Sequence, residues 1–203
     1  HMPVDFPALG VDFAAFSGHK MLAPTGIGAL YGRAELLDAL PPFLTGGSMI
    51  TRVELQDADY MPAPIKFEAG TQRVSQVVAF AEAVRYLQHL GMDNVHAWEQ
   101  ELGARLVAGV QNIEGVRLLG PTDPNKRAGL VSLGIDGVHP HDAGQLLDTK
   151  GIAVRVGHHC AQPLHRGAGL TASTRASAYI YNTTEDIDAF LAALAEVRPY
   201  FGL

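Results

Sequence analysis

The sequence predicts an α/β protein, and three features carry that expectation. Short apolar runs that end in turn residues alternate with longer segments of helical period. From Val74 onward the apolar residues recur at i, i+3, i+4 and i+7. The chain closes on a segment that combines a capping residue with a continuous apolar face.

Taken in order, Asp12-Phe-Ala-Ala-Phe-Ser17 is a short apolar run halted by Gly18, which reads as a buried strand feeding a loop. Ile27-Gly-Ala-Leu-Tyr31 reads as a second strand, and "GHKMLAPTG" between them reads as a loop presented by a strand end. Residues 41–70 are rich in Pro and Gly with little periodicity, so irregular structure is expected there. Val74, Val77, Val78, Ala81, Val84 and Leu87 then fit one face of a helix ending near Gly91. Val95, Trp98, Leu102, Leu106, Val110 and Ile113 share a face of a second helix, with Gly115 placed to stop it. Strands are expected at 116–119 and 130–135, a helix at 141–149 and a strand at 152–156. In the last helix Asn182 can cap, Glu185 sits three residues on, and Ile187, Phe190, Leu191 and Leu194 line one face. A composition shift at 88–95 marks the candidate domain boundary, carried by helix rather than linker.

Composition excludes several classes of function. The chain has 203 residues, a net charge of −6 and 47% hydrophobic residues, the ordinary range of a soluble protein with a real core. A chain of this size buries roughly 70% of its unfolded surface, so neither disulfide nor structural metal is needed for stability. Its 1 cysteine forms no internal disulfide, and the excess of acidic residues gives no footprint for nucleic acid. No apolar run reaches the ~20 residues of a membrane helix, and no signal-peptide pattern is present. The expectation is a cytoplasmic protein with neither nucleic-acid nor membrane partners.

Five places could carry chemistry. Lys20 follows His19 on a loop at a strand end, where α/β folds place ligand groups. A lysine that attacks carbonyls needs a pocket that keeps its amine neutral; a solvated surface charge is the alternative. Cys160, in "RVGHHCAQP", is a nucleophile, a metal ligand or a small buried apolar residue; Arg155, His158 and His159 beside it could lower or orient a thiol. The metal alternative suffers because adjacent residues on an extended chain point apart. His139 and His141 read as flanking a helix start. Arg175 in "TRAS" can hold a carboxylate through two parallel hydrogen bonds, or pair with a surface acid. "FEAGT", ending at Thr71 before a helix, can grip a phosphate or merely cap.

Together "DFAAFSGHKMLAPTGIGALYG", "PIKFEAGTQ", "GIAVRVGHHCAQPL" and "TRASAYIYNTTEDID" resemble, in that order, the C-terminal half of SUF-type cysteine desulfurases. These are pyridoxal 5'-phosphate (PLP) enzymes of the fold-type I aminotransferase superfamily, class V group. The resemblance runs the length of the chain, and "RVGHHCAQP" is its most specific part.

The resemblance implies a fold-type I architecture in which residues 1–90 form the C-terminal part of the PLP-binding large domain and 91–203 the small α/β domain. It implies that Lys20 is the lysine to which the cofactor is covalently attached, and that Ser17 and His19 contact the cofactor phosphate. Thr71 would reach the phosphate of the neighbouring subunit's cofactor in a homodimer. Arg175 would bind the carboxylate of the substrate L-cysteine and Arg155 would shape the same pocket. Cys160 would take the substrate sulfur as a persulfide, leaving alanine, for a sulfur-acceptor protein of the SUF system and iron–sulfur cluster assembly. Gln72 stands where family members commonly have Pro. The histidine that stacks on the pyridine ring, the aspartate at its nitrogen and further phosphate ligands precede this chain's start in the family, so an incomplete chain is expected. Selenocysteine lyase or a related PLP lyase is the enzymatic alternative, and a non-catalytic fragment without cofactor the other.

Overall fold

The structure, a computed structural model, describes residues 1–203 and divides into two compact units. One is Val4–Gly91; the other is Met92–Leu203 together with His1–Pro3.

In the first unit a one-turn helix α1 (Phe6–Leu9) precedes strand β1 (Phe13–Ser17), a 3-10 turn (Gly18–Met21) and strand β2 (Gly28–Gly32). Helix α2 (Ala34–Ala39), the strands β3 (Ile50–Val53) and β4 (Ala58–Tyr60), a 3-10 turn (Ile65–Phe67) and helix α3 (Val74–Leu90) follow. β1 and β2 pair antiparallel from Phe13↔Gly32 to Ser17↔Gly28. The run at 12–17 was expected to be a buried strand. It is a strand, but a half-exposed one, because its sheet has only two strands and no layer covers Phe13 or Leu30. α3 ends at Gly91, whose φ of 83° is the left-handed stop a glycine supplies. Its covered side runs through Ala83 and Leu87, with Phe80 against Phe16, while Val74, Val77 and Val78 lie on another side and are exposed.

The stretch expected to be irregular contains the β3/β4 hairpin. Its paired strands carry charge rather than apolar alternation: Arg52 donates to Asp59 at 2.6 Å, to Asp57 at 3.5 Å and to Glu54, all exposed. Such a hairpin has no hydrophobic period to find, which is why it was invisible to pattern reading.

In the second unit helix α4 (Met92–Gln111) leads into strand β5 (Val116–Leu119), strand β6 (Leu130–Ile135), helix α5 (Pro140–Thr149) and strand β7 (Arg155–Gly157). The short helix α6 (Gln162–Gly167), strand β8 (Ser173–Ser177) and helices α7 (Thr184–Ala195) and α8 (Val197–Tyr200) complete it. The four strands form one antiparallel sheet in the order β5-β6-β8-β7. Leu102, Leu106 and Val110 of α4, Val131 and Leu133 of β6, Leu147 of α5 and Phe190 and Leu194 of α7 meet in one core. Each such side chain contributes about 1.5–3 kcal/mol by leaving water. His139 does flank a helix start: its side chain accepts from the backbone N–H of His141 and caps α5. The cap of α7 is Thr183 rather than Asn182, with Asp186 closing a reciprocal capping box. Asn182 instead accepts the backbone N–H of Tyr179. His1 belongs with this unit because its imidazole bonds the buried carboxylate of Glu99 at 2.7 Å and lies 4.7 Å from the Tyr179 ring. No helix of the chain is long and apolar enough to cross a membrane.

Candidate functional site

The first unit places Ser17, His19 and Lys20 on one short turn. Ser17 closes β1, opposite Gly28, and the next residue enters the 3-10 turn that carries His19 and Lys20. Gly18 makes this turn possible. It is buried, its N–H donates to Ile27 O at 2.9 Å, and its own carbonyl accepts from Ala23 N at 3.1 Å. A Cβ there would meet Ile27 Cγ2 at 3.0 Å and Ile27 O at 3.1 Å, so only glycine fits without displacement. The turn ends at Leu22, in the left-handed conformation with φ 66°. His19 and Lys20 are thereby held exposed on a backbone that is itself pinned, and Lys20 makes no ion pair.

Thr71 is also exposed, one residue after Gly70, whose N–H donates to Gly47 O at 2.9 Å and whose φ is 81°. The loop is thus tied back before α3 begins, and the helix's free N–H groups lie just beyond Thr71. Sequence reasoning passed over Arg73. Its guanidinium Nη1 lies 3.1 Å from where a Cβ at Gly26 would stand, against the loop that follows Lys20.

In the second unit Arg155 of β7 and Arg175 of β8 are direct cross-strand partners. Thr174 and Ala176, the neighbours of Arg175, are buried toward the helices, so alternation puts the arginines on the sheet's other face. Like charges opposite one another on a sheet are destabilising. Arg175 Nε is in addition buried with no hydrogen-bond partner. Two guanidinium groups collected without an acid between them make a ready site for an anion, and a planar carboxylate matches the guanidinium fork. Arg175 lies inside a strand, and that is what fixes its face.

Three residues beyond Arg155, the chain makes a turn in which Ala161 N–H donates to His158 O at 2.8 Å. Its central residues His159 and Cys160 have φ of 51° and 61°, the left-handed pattern that Gly and Asn normally supply. Cys160 is exposed and its thiol is free. His159 Nε2 lies 3.0 Å and His165 Nε2 2.8 Å from the hydroxyl of Ser173, which is fully buried. Burial, then the nearby charge of Arg175, holds the His159 imidazole below its usual titration range. No group of three or more His, Cys, Asp or Glu side chains gathers as a metal site, and the His159 ring is already committed to Ser173. Neither Ser173 nor His165 was singled out from sequence; "HHC" followed five residues later by a histidine was the available signal.

Residues 1–190 match the aminotransferase class-V family model. A probable cysteine desulfurase of Mycobacterium leprae is 55% identical over 202 residues, which is 100% of this chain and 48% of that protein. The apo structure of a cysteine desulfurase from Thermococcus onnurineus superposes with a TM-score of 0.94 at 39% identity, over 100% of this chain and 50% of that one. A mutant of the enzyme C-DES, solved with glycine covalently linked to its PLP cofactor, superposes with a TM-score of 0.79 at 26% identity, over 96% of this chain and 48% of its own. The chain spans about half the length of the relatives it matches.

Proposed function

Because the chain belongs to the aminotransferase class-V family, we propose that it carries the lysine turn, the carboxylate site and the thiol of a PLP-dependent cysteine desulfurase of the SUF type. The activity is proposed for the assembled enzyme, in which this chain acts with the further length of polypeptide that its relatives have. The single observation that carries the reading is the Arg155/Arg175 pair with an exposed cysteine on the turn that follows β7.

The residues fit the cofactor. The bare Gly18 lets the backbone turn tightly beneath Ser17, His19 and Lys20, giving a hydroxyl, an imidazole and an amine on one short segment. These match a phosphate and an aldehyde, with Arg73 as a further cation beside the same loop. Thr71 would serve the cofactor phosphate of a second subunit in a homodimer. When bound, PLP supplies an electron sink for bonds at the substrate's carbon atoms.

The chain's own residues do the rest. Arg175 and Arg155 bind the carboxylate of L-cysteine and fix which face of it is offered. Cys160, as thiolate, attacks the substrate sulfur: an S–S bond forms as the substrate's carbon–sulfur bond breaks, and the electron pair of that bond stays with the carbon. That carbon takes a proton and leaves as L-alanine, while Cys160 keeps the sulfur as a persulfide. Lys20 would carry protons at the substrate's α-carbon in the assembled enzyme. The persulfide then passes to an acceptor thiol of the SUF system for iron–sulfur assembly, and we place the enzyme in the cytoplasm.

The test is Cys160→Ser in the assembled enzyme. Cofactor absorbance should persist and sulfide release from L-cysteine should fall to background. Continued turnover of L-selenocysteine alone, independent of Cys160, would favour a selenocysteine lyase instead.

A further inference from the structure

The protons in the cluster around Ser173 can be assigned by elimination. Ala161 O is a carbonyl and only accepts, so His165 Nδ1, 2.9 Å away, carries a proton. In neutral His165 the Nε2 is then an acceptor and takes the hydroxyl proton of Ser173. Ser173 has no second proton to give, so His159 Nε2 donates into Ser173 Oγ. The Nδ1 of neutral His159 is therefore bare, and it is buried with no partner.

This relay encloses the turn that presents the thiol. His159, on one side of Cys160, is tied to Ser173 directly. Ala161, on the other side, is tied to the same hydroxyl through His165. Both anchors meet at one side chain of β8 that is wholly buried. Left-handed backbone at a non-glycine residue costs about 1–2 kcal/mol, and here two such residues follow one another. Something outside the turn must hold it: the His165 backbone N–H donates to Ala161 O at 3.1 Å, and the relay adds the side-chain ties that join both flanks to Ser173.

We propose that His159 is a positioning residue for Cys160: acting through Ser173 and His165, its neutral imidazole with the proton on Nε2 holds the left-handed turn that presents the thiol. The purpose of presenting the thiol rests on the desulfurase reading; the turn and its relay do not. The groups that face His159 are Arg155 on β7, Ser173 and Arg175 on β8 and His165 on α6. His158 lies beyond His165, 6.0 Å from its ring. One added proton can be accommodated: on His159 Nδ1 it leaves the relay as it is, and on His165 Nε2 it reverses the Ser173 hydroxyl while the proton of neutral His159 moves to Nδ1. Two cannot, because both Nε2 atoms would then donate to Ser173 Oγ and its own proton would be left buried without an acceptor.

The experiment reads the turn without cofactor or substrate. In the 203-residue chain, imidazole nitrogen shifts report the tautomer of His159, and amide hydrogen exchange of Ala161 reports its bond to His158 O. The expected result is the Nε2–H form near neutrality, and Ala161 protection that falls about tenfold or more between about pH 8 and about pH 5, after correction for intrinsic exchange. Ser173→Ala should lower that protection by a similar factor at about pH 8, and adding His159→Gly, which relieves the left-handed strain, should restore part of it. A His159 protonated on Nδ1, or Ala161 protection that is flat with pH in the unmutated chain, overturns the proposal without requiring any variant to fold. Either failure leaves the desulfurase reading standing. Absent sulfur transfer with the turn intact would do the reverse.

Discussion

Arg155 and Arg175 stand directly opposite each other on β7 and β8, on the sheet face turned away from the core. A fold that only had to be stable would separate these charges or place an acid between them. Their pairing predicts a separation of stability from binding. Arg155→Gln should leave the thermal midpoint of the chain unchanged or raise it, whereas Arg175→Gln in the assembled enzyme should raise KM for L-cysteine roughly tenfold to a hundredfold, the loss of a charged hydrogen bond. Scanning calorimetry and steady-state kinetics read the two effects. A large loss of stability from Arg155→Gln with unaltered KM in Arg175→Gln would mean that the pair is structural.

Gly18 makes a second prediction, in the other unit. Since a Cβ there meets Ile27 side chain and backbone at 3.0–3.1 Å, Gly18→Ala should destabilise the Lys20 turn by about 1–3 kcal/mol. Urea unfolding gives the cost, and PLP titration should find weaker binding. Unchanged stability would mean that the turn yields more easily than its packing implies.

How much of this was legible in the sequence depended on which force decided each element. Leu102, Leu106 and Val110 read correctly as one helix face because burial against a complete sheet enforces the 3.6-residue period. Val74, Val77 and Val78 read the same way, yet they lie exposed, because period reports the face a residue occupies and not whether anything covers it. The β3/β4 hairpin was missed because its strands are exposed and charged, with no alternating apolar face. The cap of α7 was misplaced by one residue, since Asn182 and Thr183 are both good caps and only the backbone chooses. At the site, residue types in a local motif were readable. The Arg155↔Arg175 register, the left-handed turn at His159 and Cys160 and the link to Ser173 depend on pairing between distant segments, which no local pattern encodes.

The α7 cap supports a third prediction. Thr183→Ala removes the hydroxyl that accepts from Asp186 N and opens the capping box, so stability should fall by about 0.5–2 kcal/mol. Chemical denaturation measures it, and the reactivity of the Cys160 thiol toward iodoacetamide should not move.

A fourth concerns pH. Burial and the charge of Arg175 depress the folded-state titration of His159, so the unfolded chain binds this proton first as pH falls. The contribution of His159 is fully present above the ordinary imidazole value of about 6.5 and is lost as pH drops from there through the depressed folded value. Urea midpoints should decline across that window, and the slope should be shallower in His159→Gln whatever its absolute stability. An equal slope in the two proteins would assign the decline to other groups.

The central claim, that Cys160 accepts the substrate sulfur, is tested most directly by peptide mass after the assembled enzyme has turned over L-cysteine with no acceptor thiol. The account predicts one added sulfur atom on the peptide containing Cys160, removed by a reducing thiol and absent after Lys20→Ala. Alanine formed at the normal rate with that peptide unmodified, or in a Cys160→Ser enzyme, would contradict it.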